Sequence, residues 1–543
     1  MAYWQVRAKL DDKNHISDFI TNNEWKLLSN EHIKSKVFKD KINSIQVDEI
    51  LFLADGNKIT HYARCKENSL NGISITVDKW KKLSKSIQSL NRGNYNETIS
   101  AIKNSEKIKD LLNKIEILKS YKLKNIKITN FRLFEELEVD FNQDINVIIA
   151  NNGAGKTTLL DAIAIGLGVM VNKFHDGLPL PEQDLHINRE NKVANFMRIR
   201  LKSIDNLVWD ISKNRTKLST TMKQKIPERY GEKELVSFTD SIIDAQYEDR
   251  DFIMPLVIYY KTNRAVFDAP MRKRDFKKEF SRFDALEGVL KRDANFHRLF
   301  QWFDAMENSE RRGIQEHHDL EFKLFELEEV RKAIESMLPH FTNPRIEESP
   351  LRFMIDKEEN ECVTSLNIEQ LSDGYRTILA MIMDISARMA QANPHLGNKS
   401  KAIILIDELD LHLHPKWQQT ILSDLRRTFP NAQFIVTTHS VHILSSIRKE
   451  KLFTLKDGKK EKTYLRTYGK SIDELLLGSF EIESLRYPKV AKKIEDIQRF
   501  LYSKEYKEEV FCSKLKGLEE DIGKDDIGVL KLRLEKLKRD KNA

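Results

Sequence analysis

Ala150-Asn151-Asn152-Gly153-Ala154-Gly155-Lys156-Thr157 decides how this chain is read. The apolar run Ile145 to Ile149 precedes it, and Leu159, Leu160, Ile163 and Ile165 follow at helical spacing. The pattern predicts strand, tight loop, helix. Glycines at 153 and 155 let the backbone wrap closely round an anion, so that amide N–H groups and the positive end of the helix face it. The loop is therefore expected to cradle ATP through Asn151, Asn152, Gly153, Ala154, Gly155, Lys156, Thr157 and Thr158. Lys156 would reach the β- and γ-phosphates, and the Thr157 hydroxyl would serve Mg²⁺. Ala150 stands where such loops prefer glycine, but a small side chain suffices at a strand end.

A second half of the same site is expected about 250 residues later, where Ile403 to Ile406 reads as a buried strand ending in Asp407-Glu408. An acid at that strand tip orients Mg²⁺, the role expected of Asp407. Glu408 can then polarise the attacking water as general base. Leu371-Ser372-Asp373-Gly374-Tyr375 precedes a helix-like run from Thr377 to Met389, and a third strand, Gln433 to Thr438, leads to His439. A transition-metal reading competes for His412, His414 and His439, but the His-x-His pair would share one side only if extended, and no third ligand is identifiable near it.

In this order the four elements resemble those of ABC-type P-loop ATPases. The resemblance implies that Leu371 to Tyr375 is the signature loop, with Asp373 in place of the usual second small residue. It also implies that His439 is the switch histidine and that Gln183 is a Mg²⁺-sensing glutamine. Because a signature loop in that family completes the site of another subunit, a head-to-head homodimer is implied. Ser372 and the Gly374 amide would grip the partner's γ-phosphate, while Asp410 and His414 shape the loop. Asn130-Phe131-Arg132, Tyr260-Lys261-Thr262-Asn263-Arg264, Asp407 to Pro415 and Thr437-Thr438-His439-Ser440 resemble the overcoming-lysogenization and RecF-like ATPases. Within that group the chain is similar, over about residues 119 to 475, to the PtuA-type ATPases of Septu and retron-associated antiphage systems. The resemblance implies an ATPase that regulates a separate HNH-type nuclease, with the reverse transcriptase and msDNA of a retron as further partners and nucleic acid as a ligand. A RecF-like DNA repair or recombination ATPase, or an ATP-bound scaffold with negligible turnover, are the alternatives.

The implied architecture is an α/β, ABC-type ATPase head with a helical-hairpin insertion, a small α+β N-terminal domain and a helical C-terminal tail. The expected boundaries are 1–118, 119–265, 266–344, 345–470 and 471–543. In the first segment, Leu51 to Ala54 and Ile59 to Ala63 flank Asp55-Gly56 as a hairpin. Tyr3 to Val6 and Ile73 to Val77 add strands, in a layout faintly similar to PUA-like and EVE domains. Trp4, Trp25 and Trp80 there could stack on a base or form a core. Phe196 to Leu201 and Leu207 to Ile211 read as a hairpin, and Pro255 to Tyr260 as a strand, with Arg264 just beyond it expected near the nucleotide. Phe296, Leu299, Phe300 and Phe303, then Leu327, Val330, Ile334 and Met337, mark two helices with Gly313 as the turn between them. These helices are far shorter than the arms of chromosome-tethering ATPases. The tail shows neither a Toprim-like acidic set nor an HNH-like group, so a nuclease is expected in trans, docked on the helical tail.

Composition narrows the classes further. The chain has 543 residues, 40% hydrophobic and 32% charged, which is ordinary for a folded protein of several domains. Its three cysteines, Cys65, Cys362 and Cys512, match no disulfide framework and no metal spacing. No apolar run is long enough for a membrane helix and no signal peptide is evident, so a cytoplasmic location is expected. A net charge of +8 is modest for this length and fits a local basic surface. Arg272-Lys273-Arg274 with Lys277, Lys278 and Arg282 is one such cluster, and Lys531, Arg533, Lys536, Lys538 and Arg539 another. Each also fits a solvated helix face.

Overall fold

The computed structural model describes residues 3–10, 13–28, 34–47, 49–56, 58–78, 80–88, 98–102, 121–188, 190–216, 226, 228–248, 252–262, 279–290, 296–359, 362–456, 458–461, 466–479 and 484–542. Arg264 and the cluster Arg272, Lys273, Arg274, Lys277 and Lys278 lie outside the described residues.

The central sheet is assembled from strands far apart in sequence. β1 (Ile145–Ala150), β2 (Leu256–Tyr260), β3 (Ala402–Ile406), β4 (Ala432–Thr437) and β5 (Leu452–Lys456) run parallel, and β6 (Lys459–Glu461) returns antiparallel to β5. Their spatial order is β2-β3-β4-β1-β5-β6. Parallel strands are covered on both faces and so read as continuous apolar runs; every residue of β2, β3 and β4 is buried. The register pairs Ile148 with Thr437 and Ile406 with Val436. This brings the carboxyl ends of β1, β3 and β4 to one edge of the sheet, where ligands of parallel α/β sheets bind.

α1 (Lys156–Val171) follows the glycine-rich loop and is apolar nearly all round, so it must be covered on every side. It lies between the central sheet and an antiparallel sheet whose strands are ordered Phe134–Asp140, Leu123–Phe131, Phe196–Ser203 and Val208–Asn214. The last two form the hairpin expected from sequence. Gly166 lets this sheet approach closely, since a Cβ there would sit 2.7 Å from Leu201 Cδ1. The Trp209 indole N–H donates to the Gly166 carbonyl at 2.9 Å.

Two helices, Phe296–His317 and Phe325–Met337, occupy the stretch with helical stripes. Gly313 is not the turn between them, as the sequence suggested, but lies inside the first helix. A Cβ at 313 would fall 2.2 Å from the Phe322 ring, so the glycine serves close packing while the chain reverses at 318–324. An antiparallel sheet of Phe341–Glu348, Leu351–Glu359 and Cys362–Asn367 follows, which hydrophobic periodicity did not reveal. α2 (Asp373–Ala392) and α3 (Pro415–Thr428) then complete the helical cover of the central sheet.

The N-terminal strands form a separate seven-stranded sheet in which Ile50–Asp55 pairs antiparallel with Lys58–Glu67 and parallel with Tyr3–Arg7. Its tryptophans are core residues and not a base-stacking platform. Trp4, Trp25 and Trp80 are 7%, 0% and 4% exposed, and their ring N–H groups donate to Glu49, the Arg7 carbonyl and the Glu24 carbonyl. At the other end, α4 (Pro488–Leu501), α5 (Glu508–Ile522) and α6 (Ile527–Asn542) share a small core of Ile497, Leu501, Phe511, Leu515, Leu518, Val529 and Leu532. Among the described residues no helix is long and apolar enough to cross a membrane.

Candidate nucleotide site

The two predicted halves meet. The Thr157 hydroxyl donates to Asp407 Oδ2 at 2.7 Å, although 250 residues separate them. The second carboxylate oxygen, Oδ1, accepts from the Thr437 hydroxyl at 2.6 Å. Asp407 is 1% exposed, so this carboxylate is held from both sides at the tip of β3. Lys156 ends among the same acids. Burial lowers its pKa, and the nearby carboxylates of Asp407, Glu408 and Asp410 oppose that shift. Its ammonium donates to the Ala150 carbonyl at 2.7 Å and to the Asn151 carbonyl at 3.4 Å, folding the lysine back over its own loop.

Gly153 has φ +80° and open space where a Cβ would stand. Gly155 has φ +103°, and a Cβ there would meet Leu133 and Phe134 at 2.8 Å. Asn151, Asn152, Gly153 and Thr157 are exposed and Ala154 and Thr158 half-buried, so the loop is open to an anion. A hydroxyl and a carboxylate already in contact, beside an open glycine turn and a buried ammonium, are a hard-oxygen donor set that fits a Mg²⁺-bound triphosphate.

Glu408 follows directly, half-buried, with φ +48°. That region is uncommon for a residue with a side chain. Its backbone N–H donates to the Thr437 hydroxyl at 2.7 Å, and the Leu409 N–H donates to the Thr437 carbonyl at 2.9 Å. Thr437 therefore ties both acids to β4. Asp410 makes the next link, accepting from the Thr438 hydroxyl at 2.6 Å and from the His439 N–H at 3.3 Å. The half-buried His439 is thus carried on the same loop.

The Leu371 to Tyr375 segment opens α2 and packs on the loop that follows the paired acids. Ser372 is the exposed N-cap of α2, and Gly374 packs on the His412 carbonyl, 2.6 Å from where a Cβ would lie. No hydrogen bond among the described residues joins Ser372 or Gly374 to the phosphate loop. His412 has φ +65°, and His414 Nδ1 accepts the Lys416 N–H at 3.3 Å to cap α3. The segment is a turn and not extended, which removes the geometry a His-x-His metal site needs. Gln183 is exposed in the single turn Glu182–Asp184, and no described hydrogen bond links it to Thr157 or Asp407.

Beside the loop lies a charge network in which Arg132 and Lys261, from motif stretches quoted above, meet Asp161 and Asp184, which the sequence reading did not single out. Arg132, with φ +47°, donates to Asp161 at 2.6 Å and to Asp184 at 3.0 and 3.3 Å. Asp161 projects from the otherwise apolar α1 and also accepts from Lys261 at 2.7 Å and the Tyr259 hydroxyl at 3.1 Å. Burial alone would raise the Asp161 carboxyl, but Lys261 and Arg132 outweigh it and hold its pKa below the ordinary range. A lone acid inside Leu159-Leu160-Asp161-Ala162-Ile163 was the available signal, since a buried carboxylate demands a cation. Arg282, from the first basic cluster, is structural: it donates to the Ala392 and Phe252 carbonyls and stacks on Phe252.

Family models described as an AAA domain and an AAA ATPase domain match residues 125–342 and 303–444. The Retron Ec83 probable ATPase of Escherichia coli is 29% identical, over 76% of this chain and 86% of that one. The Retron Vc95 probable ATPase of Vibrio cholerae serotype O1 biovar El Tor is 25% identical, over 61% and 73%. The Septu protein PtuA of Bacillus thuringiensis is 23% identical, over 72% and 91%. With a glycine-rich loop joined to a buried acid of the central sheet, and with these matches, the chain is a P-loop ATPase similar to the retron ATPases and to PtuA.

Proposed function

We propose that this ATPase binds ATP between two heads and uses its hydrolysis to regulate a separate HNH-type nuclease in antiphage defence, in a Septu-like or retron system. The contact of Thr157 with Asp407 is the observation that carries the nucleotide reading. Thr157 and Asp407 would hold Mg²⁺, which when bound neutralises charge on the β- and γ-phosphates. Lys156 leaves the Ala150 and Asn151 carbonyls for the phosphates, and the amides of Asn151 to Thr158 line the cradle. Glu408, fixed in its turn by Thr437, takes the proton from the attacking water. His439, carried by Asp410, faces the same end of the sheet, and Gln183 belongs to the loop that would report nucleotide occupancy. The exposed Ser372 and the Gly374 amide would complete the partner head's site, since no described hydrogen bond joins them to their own phosphate loop.

Relatives named for DNA replication and repair match only about a fifth of the chain or less, whereas the retron ATPase and PtuA match most of it, which supports defence over housekeeping repair. A nuclease supplied in trans, and for a retron a reverse transcriptase with its msDNA, are the partners this reading requires, with nucleic acid as the sensed ligand. The test is phosphate release with Glu408→Gln. Turnover should fall at least about 100-fold while ATP still binds and the head dimer persists. Unaltered turnover removes Glu408 from the base role. Co-expression with the neighbouring nuclease frame should give a complex whose DNA cleavage changes in the Glu408→Gln background.

A further inference from the structure

α6 has two apolar faces, and its own bundle uses one. Val529 and Leu532 are buried against α4 and α5. Ile527, Leu530, Leu534 and Leu537 are 78%, 48%, 53% and 58% exposed. Their spacing is i, i+3, i+7, i+10, the a/d pattern of a helix seam, and at 100° per residue Leu532 lies opposite the stripe's centre. Singly scattered exposed leucines need no explanation; an aligned row of four on one helix marks a contact surface.

The charges beside the row select its occupant. Lys531 and Lys538 flank it on one side, and Lys541 stands at its end, all exposed. On the other side Arg533 is held by Glu519, and Lys536, further round, is held by Glu508. Glu535, the acid behind Lys531 and Lys538, accepts from the Gln498 amide of α4 and so is turned toward the bundle, which leaves the charge bordering the seam predominantly positive. A second copy of α6 would set lysines against lysines, which disfavours self-pairing. We propose that α6 docks an amphipathic helix from a different protein chain, with apolar a/d residues and acidic flanks, as a fourth helix laid on the α4–α6 bundle. This deepens the proposed function by naming the surface that would hold a trans-acting chain, and rests on that reading only for the chain's identity.

The test uses the full chain and two labelled synthetic peptides of three heptads with Leu at a and d, one flanked by Glu and one by Lys. Fluorescence anisotropy should show saturable binding of the Glu-flanked peptide, weakened at least about tenfold by Leu534→Glu. The Lys-flanked peptide should not bind. ATP turnover and the melting temperature should be unchanged in Leu534→Glu, since that side chain lies outside the bundle core. Equal binding of both peptides, or no effect of Leu534→Glu, overturns the proposal. A fall in the native mass of the protein in Leu534→Glu also overturns it, by assigning the row to self-association. If the peptide binds as expected but the neighbouring nuclease does not copurify, the surface stands and the nuclease reading fails.

Discussion

Thr437→Val removes one hydroxyl and preserves shape, at the point where the two acids are tied together. The Thr437 oxygen gives a 2.6 Å bond to Asp407 and receives a 2.7 Å bond from the Glu408 N–H, in a residue that is 0% exposed. The first is charge-assisted, at about 1.5–3 kcal/mol, and the second leaves a buried amide unpaired, at about 1–3 kcal/mol. Relaxation recovers part of this, so a net loss of about 2–4 kcal/mol is expected. Glu408 sits at φ +48° because its neighbours hold it there. Released, it drifts toward ordinary backbone values and its carboxylate moves. A displacement near 1 Å at a catalytic group costs about 100-fold in turnover. ATP affinity should stay within about threefold, since the phosphate loop is untouched. The assay combines steady-state phosphate release, equilibrium nucleotide binding and thermal melting, with Thr437→Ser as the variant that restores the hydroxyl. Turnover within twofold of wild type, together with an unshifted melting temperature, would falsify the view that Thr437 positions the acids.

Gly374→Ala should push α2 away from the His412 carbonyl, because the added carbon would lie 2.6 Å from that backbone oxygen; turnover and ATP-dependent dimerisation, followed by light scattering, should both fall while binding to one head persists. Burial raises the Glu307 carboxyl from 4.5 to about 7, with Asp304 adding to the shift and the Ile346 N–H, Arg311 and Arg331 opposing it. The folded state therefore keeps a proton that the unfolded state has lost, so stability declines as pH rises from about 4.5 to about 7 and is flat above. Glu307→Gln should remove that decline, giving about 2–3 kcal/mol at pH 8 and almost nothing at pH 4.5 in denaturant titrations; parallel profiles for variant and wild type would exclude it. Arg132→Met should cost about 2 kcal/mol by leaving Asp184 unpaired while Lys261 still serves Asp161; chemical denaturation showing a change under about 0.5 kcal/mol would make the network ornamental.

Some elements were legible because a local pattern has one physical solution. The run Ile145 to Thr157 can satisfy its glycines, its lysine and its apolar flanks only as strand, loop and helix, and the structure has that. The paired acids after Ile406 announced themselves for the same reason. Gly313 misled, since a glycine signals either a turn or close packing and only the ring of Phe322 distinguishes the two. In the sheet from Phe341 to Asn367 the middle strand does alternate, at Leu351, Phe353 and Ile355, but the alternation is short and the last strand is largely exposed and offers none.

Chain chemistry alone determined the nucleotide loop, the strand-tip acids and the order of the head's elements, because each is written in contiguous residues with a fixed period. Which side chains share a site was decided by the fold. Thr157 reaches Asp407, Thr437 holds Asp407 and Glu408, and Arg132 joins Asp161 to Asp184 only after parallel strands set distant segments side by side. Likewise, α6 carries apolar residues all along its sequence, and only packing against α4 and α5 reveals which of them are left facing outward. Local pattern is a property of neighbours along the chain, whereas hydrogen bonds and burial depend on neighbours in space.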